Sequence, residues 1–593
     1  TNQLEAVVTE VLKMIGVEAR ALPSRGSAQN MRREMGHVAD VMAGVLLAKA
    51  QNATGASDDT TKRQRTLAAD LAHFKLPDGS LRTLVIGLSC MSSGAAVAKV
   101  SRFTEKLAQV QAAARLSVPL HHGDEAIWDR LTLLDLIKNW CSDRAASERC
   151  VAKLVEERKA KEARAREGAR QLAALRTVGC RVRLSLSVSS DGGVRAAAGV
   201  QTNAAQLDEL QADARRAVAV TMEAALPPES EQQLVEAEMA RRLGSEWWLQ
   251  LPAHKQQSIC RVWAATCNAH RWVNVGKGFD EGIKSAFDAI KAERADGAAT
   301  AAAGKPKAGS PWDQLIYEVT KMLCMNARKM NVAIGQDLLG MQVVELGKDP
   351  DACVHTKLKV IVGERFLVTY TNAKVAVALE SELIPEAERL STLMETRRVR
   401  KATDKTHNRL EASVLEHYKD HDEFDALRVK AIVGHYLLHP LYLSTYHIDH
   451  VLELNDYMKW VLQLLDALIL DPMPLLKGDV HALQYFHRAL QHEPLLAHAL
   501  HTPVWGDAAF LQMLKAGLEH ARTWTVRHSQ EHLAGGALDY DAMSATLAKE
   551  AWVELESHPI DNLAAERTLA LDCYLTKVLG TRLRVHAREA MVK

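Results

Sequence analysis

The sequence is poor in aromatic side chains and carries almost no net charge. Phe, Trp and Tyr make up 5% of the 593 residues, and 74 Lys and Arg residues oppose 73 Asp and Glu residues, which leaves a formal charge of +1. Aromatic residues favour strands, so their scarcity beside abundant Ala and Leu favours helices. Balanced charge excludes a global positive field, and with it non-specific binding of nucleic acid by the whole surface.

Cysteine is sparse and follows no pairing pattern. The nine cysteines are scattered along the chain, and their number is odd. A secreted disulfide framework uses an even number of cysteines at close spacings. We therefore expect free thiols in a reducing compartment, either the cytoplasm or the interior of an assembled particle.

Long hydrophobic runs are missing as well. The first residues, TNQLEAVVTEVLKMIG, alternate acids with an apolar helical face, unlike the continuous apolar segment of a secretion signal. The most apolar helix, at 460–470, is interrupted by Gln463 and Asp466 and stopped by Pro472. It is shorter than the roughly 20 residues that cross a bilayer. We expect no classical secretion signal and no membrane partner.

Helical periodicity dominates what is present. Residues 143–178 predict one long, highly charged helix with acids and bases at i,i+4 spacings, which is typical of a solvated strut. Strands are a minority. Alternation at 181–188 followed by an Asp-Gly pair predicts a β-hairpin, a second hairpin is predicted at 356–379 with its turn at Gly363, and 81–89 is a third strand candidate. The sequence predicts an α-rich (α+β) fold, mostly helical with small antiparallel hairpins or sheets.

Three stretches of turn-forming or small residues divide the chain. They lie at 51–65, at 224–232 and at 295–311, and the last is the best boundary because it is almost entirely Ala, Gly, Lys and Pro. We predict several domains. They are an N-terminal α/β-containing domain at 1–120, a helical domain with the long charged helix and a hairpin at 121–294, a linker at 295–311, an α+β segment with a hairpin at 312–404, and a C-terminal helical domain at 405–593.

Motifs for phosphate binding and nucleophilic catalysis fail on spacing. The segments at 297–305 and 340–348 carry six residues between the first Gly and the Gly-Lys pair, whereas a phosphate-binding loop needs four. The strand-to-turn sequence at 84–94 has Met91 where a nucleophile elbow has its last glycine. We therefore expect Ser89 to lie in an ordinary turn and not to act as a nucleophile. We predict no cofactor.

A zinc site is considered at 260–270. Cys260, Cys267 and His270 lie there, but no second close pair of ligands follows. Four of the chain's 11 tryptophans surround the segment. We predict an aromatic core with buried thiols and no metal.

Histidine is concentrated in the C-terminal third, where 17 of the 24 histidines follow residue 400. His435 and His439 have the i,i+4 spacing of zinc-protease ligands, but Tyr436 replaces the glutamate that would activate a metal-bound water. The sequence HDEFD at 421–425 contains a His-Asp pair of the kind that some metal phosphohydrolases use. Dense apolar residues between these histidines favour a helical core, in which histidine serves as an amphipathic side chain.

No motif fixes a reaction, and the leading hypothesis assigns no catalytic, cofactor or metal residue. In this hypothesis the chain is a structural, self-assembling protein whose partners are copies of itself. Its most specific form is a viral capsid or comparable shell subunit. Such a shell can enclose nucleic acid without sequence-specific binding. One alternative is a helical adaptor that binds partner helices along 143–178. The other is a metal-dependent hydrolase that uses His421, Asp422, His435, His439, His447 and Asp449.

Overall fold

A computed structural model of the protein describes the following residues: 25–62, 65–91, 95–121, 132–142, 146–177, 184–188, 194–198, 203–221, 228–295, 310–323, 358–359, 367–383, 413–414, 416–478, 507–560, 564, 567–569 and 571. The chain forms two compact units. Unit 1 is Thr1–Trp140 with Ala146–Trp263 and Leu571–Lys593, and unit 2 is Cys141–Ala145 with Ala264–Ala570. Residues 296–309 of the predicted linker lie outside the described residues.

The first half of the chain combines strands and helices. In chain order the elements are α1 (Arg25–Ala48), β1 (Ala53–Lys62), β2 (Arg65–Lys75), β3 (Leu81–Met91), α2 (Ala96–His121), β4 (Ile137–Ser142), α3 (Ala146–Thr177), β5 (Leu184–Val188), β6 (Val194–Ala198), α4 (Asn203–Thr221), α5 (Pro228–Gln250), α6 (Ala253–Cys260) and β7 (Trp263–Thr266). Five strands form a mixed sheet in the order β3-β2-β1-β4-β7, and β5 and β6 form a separate pair.

The segment at 51–65, predicted to be a flexible boundary, is instead β1 and the start of its hairpin with β2. The two strands pair antiparallel from Ala53 opposite Phe74 to Lys62 opposite Arg65. The small residues of β1 allow close packing, because a side chain at Gly55 would lie 2.6 Å from the Trp140 ring. The small residues that make this segment look like a loop in sequence therefore belong to a tightly covered strand. The strand predicted at 81–89 is confirmed as β3.

The hairpin predicted from 181–188 is confirmed, since β5 pairs antiparallel with β6 from Leu184 opposite Ala198 to Val188 opposite Val194. The long helix predicted at 143–178 is also confirmed, as α3. It is not a solvated strut, however. Val151, Val155 and even Lys159 on α3 are fully buried, and the Lys159 ammonium donates to the carbonyl oxygen of Ile137 at 2.9 Å.

Every regular element described in the second half of the chain is helical. Its helices are α7 (Asn268–Ala295), α8 (Pro311–Leu323), α9 (Val368–Leu383), α10 (His421–Val433), α11 (His439–Ser444), α12 (Leu454–Leu470), α13 (Met473–Leu476), α14 (Ala508–His528) and α15 (Ala545–Glu554). A π-helical turn, Gly434–Leu438, joins α10 to α11. Helix α7 packs closely along α14, where Gly517 leaves room for the Phe279 ring. Among the described residues, no helix is both long enough and apolar enough to span a membrane.

The hairpin predicted at 356–379 is wrong over its second half, which is helix α9. Val375, Val377 and Leu379 alternate in sequence as strand residues do, but the intervening Ala376 and Ala378 are buried too. A helix covered on several sides shows no polar face, so periodicity cannot distinguish it from a strand. Residues 360–366, which contain the predicted turn, lie outside the described residues.

Candidate functional site

The six residues of the hydrolase hypothesis occupy separate environments. His421, His447 and Asp449 are exposed, His439 is half-buried, and Asp422 and His435 are buried. The Asp422 carboxylate pairs with Arg294 at 2.5 Å and with Lys291 at 3.1 Å. Within the described part of the chain, no group of three or more His, Cys, Asp or Glu side chains is arranged to hold a metal ion.

The other sequence motifs are placed as follows. Ser89 lies inside β3 opposite Ala68 rather than at a strand-to-helix turn. The Cys260 thiol is half-buried and donates to the carbonyl oxygen of Gln256 at 3.1 Å. Cys267 is fully buried, as expected. The segments at 297–305 and 340–348 lie outside the described residues.

One histidine of the C-terminal group, His450, has a defined structural task. It begins the 3₁₀ turn Val451–Glu453, where its Nδ1 accepts a hydrogen bond from the Leu452 backbone N–H at 3.2 Å. Its Nε2 lies 2.9 Å from the carbonyl oxygen of Trp552. Because Nδ1 accepts, the neutral ring carries its proton on Nε2 and donates it to that carbonyl. His450 thereby ties the start of α12 to α15.

The same histidine holds an aromatic side chain at the surface. The rings of His450 and Trp552 are stacked, with centroids 4.0 Å apart and planes inclined by 7°. Tyr540 also contacts the tryptophan edge-on, with ring centroids 6.2 Å apart. Trp552 and Tyr540 remain 41% and 40% exposed. We name His450, Tyr540 and Trp552 the Trp552 patch.

The edge of the Trp552 patch carries charges of both signs. Lys459 donates to the carboxylate of Asp541, which follows Tyr540 in the chain, and its ammonium lies 3.9 Å from Asp456. An aromatic centre with a charged rim is the usual composition of a protein contact surface. The patch lies entirely within unit 2.

A second group of chemically active side chains lies in the interior of unit 2. The Lys430 ammonium is 1% exposed and contacts Asp280 at 2.7 Å and Asp313 at 2.8 Å. The Tyr370 hydroxyl donates to the Asp280 carboxylate at 3.0 Å. These four residues, the Lys430 cluster, connect α7, α8, α9 and α10. A buried ammonium with two carboxylates satisfies its charge internally, so the cluster fixes how these helices pack.

The two carboxylates of the Lys430 cluster differ in acidity. Burial raises the pKa of Asp280 from the ordinary 3.8 to about 6, against the attraction of Lys430. Burial also opposes ionisation of Asp313, but the charge and hydrogen bond of Lys430 hold its pKa below the usual value. Asp280 therefore binds a proton in the folded protein at a pH where the unfolded chain has released it.

This difference predicts a pH effect on stability. Between about pH 4 and pH 6, Asp280 binds more protons in the folded state than in the unfolded state. The free energy of unfolding therefore falls as pH rises through this range, by roughly 1–3 kcal/mol in total. Asp280 keeps 25% of its side-chain surface exposed, which favours the lower figure. Urea unfolding from pH 4.5 to 7.5 should show a flatter pH profile in Asp280→Asn than in wild type. Asp288→Asn, an exposed site on the same helix, is the control, and an unchanged profile in Asp280→Asn would contradict the assignment.

Comparison with known proteins does not assign the chain to a family. No protein-family model and no curated protein matches the chain. The partners in the Trp552 patch are also hard to predict from sequence, because His450 and Trp552 are 102 positions apart. The density of histidine around 450 is the one signal in the sequence, and the apolar residues between these histidines favour packing over metal chemistry.

Proposed function

We propose that the chain is a structural protein that assembles with further copies of itself, and that the Trp552 patch is one of its contact surfaces. The observation that carries this proposal is the stack of His450 on a tryptophan that is 41% exposed. Stacking fixes the indole before any contact forms, so association loses less side-chain entropy. Tryptophan and tyrosine are also the side chains that most often dominate binding energy.

Charge favours a second copy of the chain as the occupant of this surface. A formal charge of +1 means that copies do not repel one another at long range. In a two-fold contact the same patch lies on both subunits, so Lys459 of one copy can face Asp456 or Asp541 of the other. The most specific form of this proposal is a viral capsid or comparable closed shell. Such a shell would hold nucleic acid by enclosing it and would not need a binding motif.

Substitution of the exposed indole tests the proposal. Trp552→Ser should weaken self-association about 30-fold, which corresponds to the ~2 kcal/mol typical of a dominant interface residue. Light scattering and sedimentation over a range of concentrations measure this change, and the absorbance ratio of any particle reports enclosed nucleic acid. Leu470→Ser is the matched control, because Leu470 is 88% exposed and lies outside the patch.

Two outcomes would contradict the proposal. One is a mass of 65.3 kDa, that of a single chain, at every concentration. The other is equal weakening by Leu470→Ser, which would assign the effect to general surface hydrophobicity. The same purified protein also distinguishes the two alternative functions. A metal-dependent hydrolase contains stoichiometric metal, and an adaptor changes mass only when its partner is added.

A further inference from the structure

Helix α15 carries a cation and an aromatic side chain on one exposed face. Lys549, Trp552 and Val553 are exposed, whereas Ala548 and Ala551 of the same helix are buried. Lys549 and Trp552 are three positions apart, so they lie on the same side of the helix and about 4.5 Å apart along its axis. The face that leaves unit 2 at α15 therefore contains an ammonium beside an indole.

The Lys549 ammonium is not engaged within its own chain. In the part of the chain that the structure describes, no carboxylate pairs with it and no aromatic ring lies under it. Lys459, the cation at the edge of the Trp552 patch, differs in this respect, because it donates to Asp541 and lies 3.9 Å from Asp456. Lys549 is therefore the cation of this surface that is available to a group on another molecule.

The exposed part of Trp552 suits a cation. The buried His450 ring stacks on one face of the indole, so the exposed surface belongs to the opposite face and the ring edge. The face of an indole attracts cations more strongly than any other aromatic side chain does. Carboxylates border the patch as well, since Glu453 accepts the backbone N–H of His450 at 3.4 Å and Asp541 follows Tyr540 in the chain. The patch therefore complements a positive charge.

We propose that the ammonium of Lys549 binds the exposed indole of Trp552 on a second copy of the chain, and that the contact is reciprocal. The inference rests on the proposed function, whose contact surface it specifies. Two antiparallel α15 helices related by a two-fold axis between residues 550 and 551 place position 549 of each copy opposite position 552 of the other. The axes of packed helices lie roughly 8–10 Å apart, a distance that a lysine and an indole bridge together.

Charge is the reason to choose a second copy as the occupant. Each copy supplies both halves of the contact, an unpaired ammonium and an indole with carboxylates around it. The exposed Val553 lies on the same face and adds apolar area to the contact. Glu550 is next to the axis in sequence, but it lies about 100° around the helix from Lys549, so the two Glu550 side chains do not face each other.

A mixing experiment with two single variants tests the contact. Lys549→Gln keeps the indole and Trp552→Leu keeps the ammonium, so neither variant forms the contact with a copy of itself, whereas a mixed pair restores one of the two contacts. A cation–π contact at an exposed site contributes about fivefold in affinity. Mixed pairs should therefore form about fivefold more often than the self-association constants of the two variants give by themselves. Native mass spectrometry counts the pairs when one variant carries a heavy nitrogen isotope.

Two further variants separate the contact from a general effect of charge. Lys549→Arg should keep the self-association constant within about twofold of wild type, because a guanidinium binds an indole as an ammonium does. Lys515→Gln removes an exposed lysine of α14 that lies outside the patch, and it should not weaken self-association. Equal weakening by Lys515→Gln and Lys549→Gln would assign the effect to net charge and overturn the proposal.

The mixing result also distinguishes this proposal from the proposed function. If Trp552→Ser weakens self-association but mixed pairs show no excess, the contact surface stands and Lys549 is not its cation. If Lys459→Gln gives the excess with Trp552→Leu and Lys549→Gln does not, the cation is Lys459 and the proposal is wrong. A single-chain mass at every concentration would remove the proposed function, and this contact with it.

Discussion

Replacing Gly168 with Leu is expected to separate α3 from α5 and to lower the free energy of unfolding of unit 1 by roughly 3 kcal/mol or more. The two helices cross with their backbones in contact. A Cβ at Gly168 would lie 1.8 Å from the carbonyl oxygen of Ala240, and one at Gly244 would lie 1.9 Å from the carbonyl oxygen of Arg164. A backbone carbonyl cannot rotate away as a side chain can, so the helices must move apart.

Separation of α3 and α5 would also expose the small core between the helices. That core contains Leu172, Met239 and Leu243, with Ala214 of α4 packed against them. Urea unfolding followed by circular dichroism measures the loss. Ala169→Leu is the matched control, because this neighbour on α3 is exposed and the same side chain there meets solvent. Equal stability of Gly168→Leu and Ala169→Leu would show that the crossing is not as close as described.

Loss of Arg102 should have a similarly large effect, because it leaves a buried carboxylate without its cation. Asp70 on β2 has no exposed side-chain surface, and the Arg102 guanidinium contacts its two oxygens at 2.6 and 2.7 Å. The same guanidinium donates to the Ser57 hydroxyl of β1 at 2.9 Å. Removing one partner of a buried pair typically costs about 3–5 kcal/mol. We expect Arg102→Met to destabilise unit 1 by that amount.

A double-mutant cycle separates the charge from the packing. If the cost of Arg102→Met comes from the uncompensated Asp70 carboxylate, then adding Asp70→Asn should restore part of the lost stability, since the amide is neutral. Strictly additive effects of the two substitutions would mean that the pair does not interact energetically. Chemical unfolding of the four proteins at one pH provides the comparison.

Local features of the fold could be predicted from sequence, whereas features made by distant partners could not. The pairing of β5 with β6 could be predicted from an alternating strand and the Asp-Gly pair that follows it in sequence, both of which are local signals. The sequence does not indicate strand β1, because its small residues pack under Trp140, which is 85 positions from Gly55. The sequence does not indicate helix α9 either, because this helix is buried on several sides and lacks the polar face that marks a helix.

The same limit applies to the candidate sites. Cys260, Cys267 and His270 are close in sequence, but only the packing around the segment decides that Cys260 is half-buried and Cys267 fully buried. The Lys430 cluster collects its members from four helices, and none of Asp280, Asp313 or Lys430 is unusual in its own segment. Sequence spacing can propose ligands on one helix face. It cannot identify charges that meet across a core.

The crossing of α3 and α5 has a consequence for the residues between them. Gly168 meets Ala240, and further along Arg176 pairs with Glu236 at 2.9 Å, so the two helices run antiparallel and the end of α3 lies beside the N-terminal half of α5. Helix α4, which lies between α3 and α5 in sequence, packs against both helices through Ala214. Each doubling of a flexible loop adds only about 0.6 kcal/mol of closure entropy. Insertions in the connections before and after α4 are therefore expected to be tolerated, whereas insertions within α4 would displace Ala214 from this core.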